Sequence, residues 1–295
     1  MSRPKRIGQE IFDILTAQFE HGKGVSRHDK KQKGVFSAQT DTVHAKNTFK
    51  TYRQQSKAFA KYAREMLGIH RLKDLNLADV GKWLAYRQEC GDSASTLKTR
   101  AAAMAKVLQC SSTDFGFKCP IRRSEDIKRS RNPVKMDDRL NEEIHADIIA
   151  VAKGTGMRRV ELQRLKPEQL EVRDGQAYIV EVHGKNGLIR TVPVLKEYND
   201  AVIAIFKKCE TEKMFPKKIP TYIDVHSYRG EYAKSMYDQI LAEKIEKGEE
   251  IKLDYHTRGA VKISLDRSIV KKVSPALGHK RISVTITNYL KHHFA

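Results

Sequence analysis

The side chains that could act on a phosphate lie in the second half of the chain: Arg158, Lys185, His226, Arg229, His279 and Tyr289. Cleaving a phosphodiester without a metal needs cations on the nonbridging oxygens, a nucleophile, an acceptor for its proton and a donor for the leaving oxygen. Arginine meets the first need, because its planar fork binds two phosphate oxygens and stays charged. Arg158 follows Gly154-Thr155-Gly156 at an expected helix start. Arg159 competes for the role, and Arg158 is preferred because Glu161 then lies one turn on, where it can orient the guanidinium. His226 and Arg229, at i and i+3, share a helix face and can reach one phosphate. Lys185 stands between Gly184 and Gly187, able to swing toward a leaving oxygen as a general acid. His279, in the tight turn Leu277-Gly278-His279, can donate to a phosphate oxygen. Tyr289 is the candidate nucleophile. A phenol has a pKa near 10, so roughly one in a thousand is ionised at pH 7 and a neighbouring base or cation must activate it.

Rival residues stand beside these. His256 and Arg258 form another pair, at i and i+2, in an expected strand or turn. His292 and His293 have no Asp, Glu or His set at ligand spacing near them, so no metal site is assigned.

The elements that must position this set follow from periodicity. Gln176–Val182 alternates like a strand and Leu188–Val194 returns, a hairpin with Lys185 at its tip. Helices are expected over Leu140–Lys153, Met157–Leu165, Tyr198–Glu212, Val225–Ala242 and Ser268–Ala276, with a charged loop over Glu243–Glu250. Ile251, Leu253 and Tyr255 alternate, as do Val261, Ile263 and Leu265, which suggests a second hairpin turning near Arg258-Gly259. Residues 136–295 thus read as a mainly α domain with small β-hairpins, an α+β catalytic domain. Upstream, residues 44–112 read as a helical bundle, its first helix capped by Asn47. Between them, residues 113–135 form a basic, proline-punctuated linker. Residues 1–43 read as a basic extension with a helix near Ile7–Phe19, suited to an accessory DNA contact.

A net charge of +20 makes a polyanion the expected partner, nucleic acid ahead of a membrane surface. Lys98, Arg100 and Lys106 on one helix, and Arg122, Arg123, Lys128, Arg129 and Arg131 in the linker, are the candidates for tracking a DNA backbone. Cys90, Cys110, Cys119 and Cys209 show no paired spacing and read as reduced thiols. No apolar run reaches the ~18 residues of a membrane span, so a cytoplasmic, nucleoid-associated protein is expected.

The ordered set Thr155-Gly156-Met157-Arg158 with Glu161, Gly184-Lys185, His226-x-x-Arg229, Leu277-Gly278-His279 and Tyr289 resembles the tyrosine recombinase (phage integrase) family, of the mobile-element type. The Lys46–Cys110 helices resemble that family's core-binding domain, with Thr48, Tyr52, Phe59 and Ser95-Thr96 in corresponding places. The resemblance implies that Arg158 and Arg229 clamp a scissile phosphate, Lys185 protonates the 5′ oxygen, His226 assists proton transfer and His279 binds the phosphate. Tyr289 would form a 3′-phosphotyrosine link, and strand exchange would pass through a Holliday junction. It implies no ATP, metal or other cofactor. The implied partners are double-stranded recombination sites, a homo-tetramer assembled on them, and accessory DNA-bending factors of the host or element.

This sequence departs from the family in several places. The long gap from Arg229 to His279, with its surplus around Glu243–Asp266, resembles a hairpin insertion of some mobile-element integrases. Only Leu290–Ala295 follow Tyr289, so subunit contacts are expected to use a shorter tail or another surface. Residues 1–43 match no part of the family pattern. A type IB topoisomerase-like enzyme and a DNA-binding regulator that lacks the chemistry are the rival readings.

Overall fold

The computed structural model describes residues 6–25, 40–123, 137–184, 187–257, 262–291 and 293–294. The chain forms two compact units, Met1–Ile127 and Lys128–Ala295. Lys185, the Arg258-Gly259 turn, His292 and the linker residues Lys128, Arg129 and Arg131 lie outside the described residues.

In the first unit, helices α1 (Ile7–Gly22), α2 (Lys46–Met66), α3 (Leu77–Glu89) and α4 (Ala94–Leu108) surround one apolar core. Asn76 and Asp79 start α3 with reciprocal side-chain to backbone bonds of 3.0 and 3.1 Å, which satisfy donors the helix leaves open. Ser93 caps α4 by accepting from the Thr96 N–H at 3.3 Å. Helix α2 begins at Lys46 behind an uncapping Ala45, so Asn47 is inside the helix and is not its cap. Phe59 meets Trp83 edge-to-face at 5.2 Å in the middle of the core.

Three expectations are corrected here. The segment 1–43 is not simply an extension, because Ile7, Ile11 and Leu15 of α1 are buried in the same core as Phe59 and Trp83. The expected linker 113–135 likewise gives its first residues to this unit, where Phe115 is buried after a short 3-10 turn. The basic face of α4 is smaller than the sequence suggests. Lys106 is buried and donates to the Thr40 carbonyl and hydroxyl at 2.5 and 2.7 Å. Arg100 is drawn into an ion pair with Asp92 at 2.6 Å and a bond to Gln55, above the Trp83 ring. Both side chains are engaged within the unit. Each found a polar partner that local periodicity could not reveal.

The second unit is built on α8 (Val225–Glu246), numbered after α5 (Ala146–Thr155), α6 (Arg159–Leu162) and α7 (Asn199–Lys207). It also carries an antiparallel sheet β1-β2-β3, formed by Leu170–Arg173, Gln176–His183 and Ile189–Pro193. Strand β1 was not expected. Its signal was the Asp174-Gly175 turn, where both residues take positive φ (48° and 78°) and join β1 to β2 as a two-residue hairpin. The expected helix over Leu140–Lys153 starts only at Ala146, after turns over 142–145, and Met157–Leu165 shrinks to the single turn α6. Helix α8 runs on through Glu243–Glu246, expected as loop. Its last turn is held by Lys244, buried against Asp266 at 2.9 Å.

The second hairpin is short, β4 (Tyr255–His256) against β5 (Ser264–Leu265). Asp266 then caps α9 (Arg267–Ala276). The chain closes with α10 (Ile282–Thr285) and one turn of π-helix, Ile286–Leu290. None of the described helices is long and apolar enough to cross a membrane.

Candidate active site

Arg158 is the N-cap of α6 and is delivered there by Gly156. Gly156 ends α5 with φ +56°, and a Cβ on it would lie 2.5 Å from the Tyr232 ring. Only glycine lets the end of α5 approach α8 this closely. The Arg158 backbone N–H and Nη1 both donate to Glu161, each at 2.8 Å. Arg159 turns away, donating to the carbonyls of Pro220 and Ile223, a structural task.

Glu161 has a second partner that sequence reasoning missed. Arg190, on β3, donates to both Glu161 oxygens at 3.1 and 2.8 Å. Its Nε donates to the Ala276 carbonyl at 2.8 Å, just ahead of the Leu277-Gly278-His279 turn. Burial alone would raise the Glu161 carboxyl, but donors from Arg190 and Arg158 outweigh it and hold the group at about 2. The readable signal was parity: Arg190 shares its strand face with buried Val192, so it points inward although Ile189 is exposed.

Two results follow for stability. Arg190→Gln is expected to cost about 3 kcal/mol, the lower end for breaking a buried pair because Arg158 still holds Glu161; a shift of the urea midpoint measures it. The depressed Glu161 carboxyl also contributes stability that is whole above its ordinary 4.5 and drains as pH falls toward about 2. Urea unfolding of wild type should therefore weaken across that window, and Glu161→Gln should flatten this part of the profile.

Arg229, in the first turns of α8, is 1% exposed. Its Nη1 and Nη2 donate to the carbonyls of Gly156 and Leu277. Its Nε donates to the Tyr289 hydroxyl at 3.2 Å. Burial, then the charge of Arg158, shifts its pKa downward. Arg158 Nη2 reaches the same Leu277 carbonyl at 3.4 Å, so the two guanidinium groups converge there.

Gly278 takes φ +67° in the turn that carries His279. The His279 ring stacks on Tyr289 with centroids 5.5 Å apart and planes 22° apart. The exposed His226 ring meets Tyr289 edge-on, also at 5.5 Å. Tyr289 lies on the π-helical turn, closed by a bond from the Lys291 N–H to the Ile286 carbonyl at 2.8 Å. Such wide turns recur at functional sites.

The structure thus brings Arg158, Glu161, Arg229, His226, His279 and Tyr289 together and adds Arg190. The rival His256 is on β4, bonded to Ser264 at 2.9 Å, in none of these contacts. Among the described residues no group of three or more His, Cys, Asp or Glu side chains is placed to hold a metal ion. In the first unit, Lys98 and Arg122 line an open groove with Asn47, Thr48, Ser95 and Thr99, and Arg123 is exposed.

Residues 39–111 match the family described as "Phage integrase, N-terminal SAM-like domain", and residues 128–295 match the "Phage integrase family". The chain belongs to the phage integrase family, the tyrosine recombinases. No curated protein sequence matches it. Among solved structures, this integrase-family chain is similar to the XerH site-specific recombinase bound to palindromic difH substrate in a post-cleavage complex. That match has 13% identity and a TM-score of 0.54, and covers 97% of this chain and 91% of the other. The pre-cleavage XerH complex with difH gives 15% identity and a TM-score of 0.51, covering 95% and 91%. The Tn1549 transposon integrase in complex with circular intermediate DNA gives 15% and 0.45, covering 95% and 94%. At such identities the XerH likeness is one of fold.

Proposed function

We propose that this chain is a site-specific DNA recombinase that cuts and rejoins strands through a 3′-phosphotyrosine intermediate, integrating or excising a mobile element. The observation that carries this reading is the Tyr289 hydroxyl 3.2 Å from Arg229, in a buried cluster where Arg158, Arg190 and Arg229 face one carboxylate, Glu161. Uncompensated positive charge around a phenol is suited to a phosphate and to the charge that develops during attack on it.

In the proposed reaction Arg158 and Arg229 hold the nonbridging oxygens. Tyr289 Oη attacks phosphorus as its proton passes to His226, and the bond to the 5′ oxygen breaks. Lys185 protonates that oxygen and His279 donates to the phosphate. The ester keeps the bond energy, so a 5′-hydroxyl of a partner duplex can attack it and release Tyr289. A second exchange then resolves the Holliday junction. A homo-tetramer on paired DNA sites, with accessory DNA-bending factors, is part of the proposal. So is a division of labour in which Lys98, Arg122 and Arg123 of the first unit, together with the linker residues Lys128, Arg129 and Arg131, grip the backbone.

The test is covalent trapping on duplexes taken from the DNA flanking the gene. An SDS-stable, protease-sensitive protein–DNA adduct is expected. Tight, salt-sensitive binding with no adduct would replace the reading with a DNA-binding regulator. An adduct that leads only to relaxed supercoils would replace it with a topoisomerase.

A further inference from the structure

His279 is held from behind by a buried hydroxyl pair. Ser274, on α9, is 2% exposed, and Thr285, closing α10, is 0% exposed. Ser274 Oγ donates to Thr285 Oγ1 at 2.8 Å, and Thr285 Oγ1 lies 2.9 Å from His279 Nδ1. The His279 backbone N–H also donates to the Ser274 carbonyl at 2.9 Å, so one residue ties both the backbone and, through Thr285, the ring.

We propose that Thr285 and Ser274 are positioning residues that fix the neutral tautomer of His279, placing its ring proton on Nε2 as the donor offered to the phosphate. The inference rests on the recombinase reading and adds residues to it. A hydroxyl has one proton to give. Thr285 accepts from Ser274, which leaves its own proton for another acceptor, and Nδ1 at 2.9 Å takes it when that ring nitrogen is unprotonated. The opposite tautomer would have Nδ1–H donate to the second lone pair of Thr285 Oγ1 and would strand the Thr285 proton at a fully buried site.

Charge makes the tautomer matter. Burial first, then Arg229, Arg158 and Arg190, with only Glu161 opposing them, holds His279 down at about 4. The ring is therefore neutral at neutral pH and carries a single N–H. If that proton sat on Nδ1, no donor would face away from Thr285.

The test uses the 15N-labelled full chain, with the His279 ring signals assigned by loss in His279→Gln. Two-bond 1H–15N spectra of wild type are expected to show only the Nε2–H tautomer. Thr285→Val should show both tautomers or an exchange-broadened ring. In single-turnover cleavage of nicked duplexes from the flanking DNA, Thr285→Val should be slower by roughly 10-fold, the scale at which outer partners of metal-bound histidines act. Its DNA affinity should be unchanged, and Thr285→Ser should restore both rate and spectrum.

An Nδ1–H tautomer in wild type, a Thr285→Val ring identical to wild type, or a Thr285→Ser variant as slow as the valine would each overturn the proposal. Loss of the recombinase reading has a separate signature, a wild type that forms no Tyr289-dependent adduct. The ring spectra would then decide the tautomer on their own.

Discussion

Tyr289→Phe is expected to bind DNA as wild type does and to form no covalent adduct. The substitution removes one oxygen and leaves the ring packed between His279 and His226, so fold and affinity have little reason to change. What is lost is the hydroxyl proposed to become the ester oxygen. Cleavage should fall by on the order of 10⁵-fold or more, as when an enzyme loses its nucleophile. The assay is covalent trapping beside a filter-binding curve. An adduct that survives the change would mean that another side chain attacks, and would end the assignment of Tyr289.

Arg229→Lys carries the second-largest expected effect. Lysine keeps the charge but has no fork to span the Gly156 carbonyl, the Leu277 carbonyl and the Tyr289 hydroxyl at once. A single preorganised donor at a developing oxyanion contributes about 10²–10³-fold in rate. Single-turnover cleavage should drop by about that factor while binding persists, and circular dichroism would show whether the fold is intact. Near-normal cleavage would remove Arg229 from the phosphate clamp.

Much of this protein was readable along the chain. Helices α2, α3 and α4 follow from apolar positions at helical spacing, and the β2–β3 hairpin from alternation. The preference for Arg158 over Arg159 was decided by Glu161 at i+3, a relation between near neighbours, and the structure shows that contact at 2.8 Å. The order of Arg158, His226, Arg229, His279 and Tyr289 was enough to suggest a phosphate site, because each residue type has its own chemistry and each sits beside a glycine turn or on a helix face.

Other features depended on residues far apart in sequence. Lys106 looked like part of a basic face until Thr40, 66 positions away, took its ammonium. Arg100 was withdrawn by Asp92 and Gln55. Residues 7–22 looked peripheral, and nothing local says that their apolar stripe closes the core beneath Phe59 and Trp83. Arg190 became part of the site only because the β2–β3 register turns it toward Glu161 and α9 brings it the Ala276 carbonyl.

Periodicity, caps and turns come from torsional preferences and neighbours within a turn or two, so the sequence by itself determined most of the helices, the β2–β3 hairpin and the family pattern. The partner of a long cationic side chain is chosen by whichever acceptor the fold brings within about 3 Å. Only the tertiary structure decided which arginines gather around Glu161 and Tyr289 and which cationic side chains are tied into contacts elsewhere.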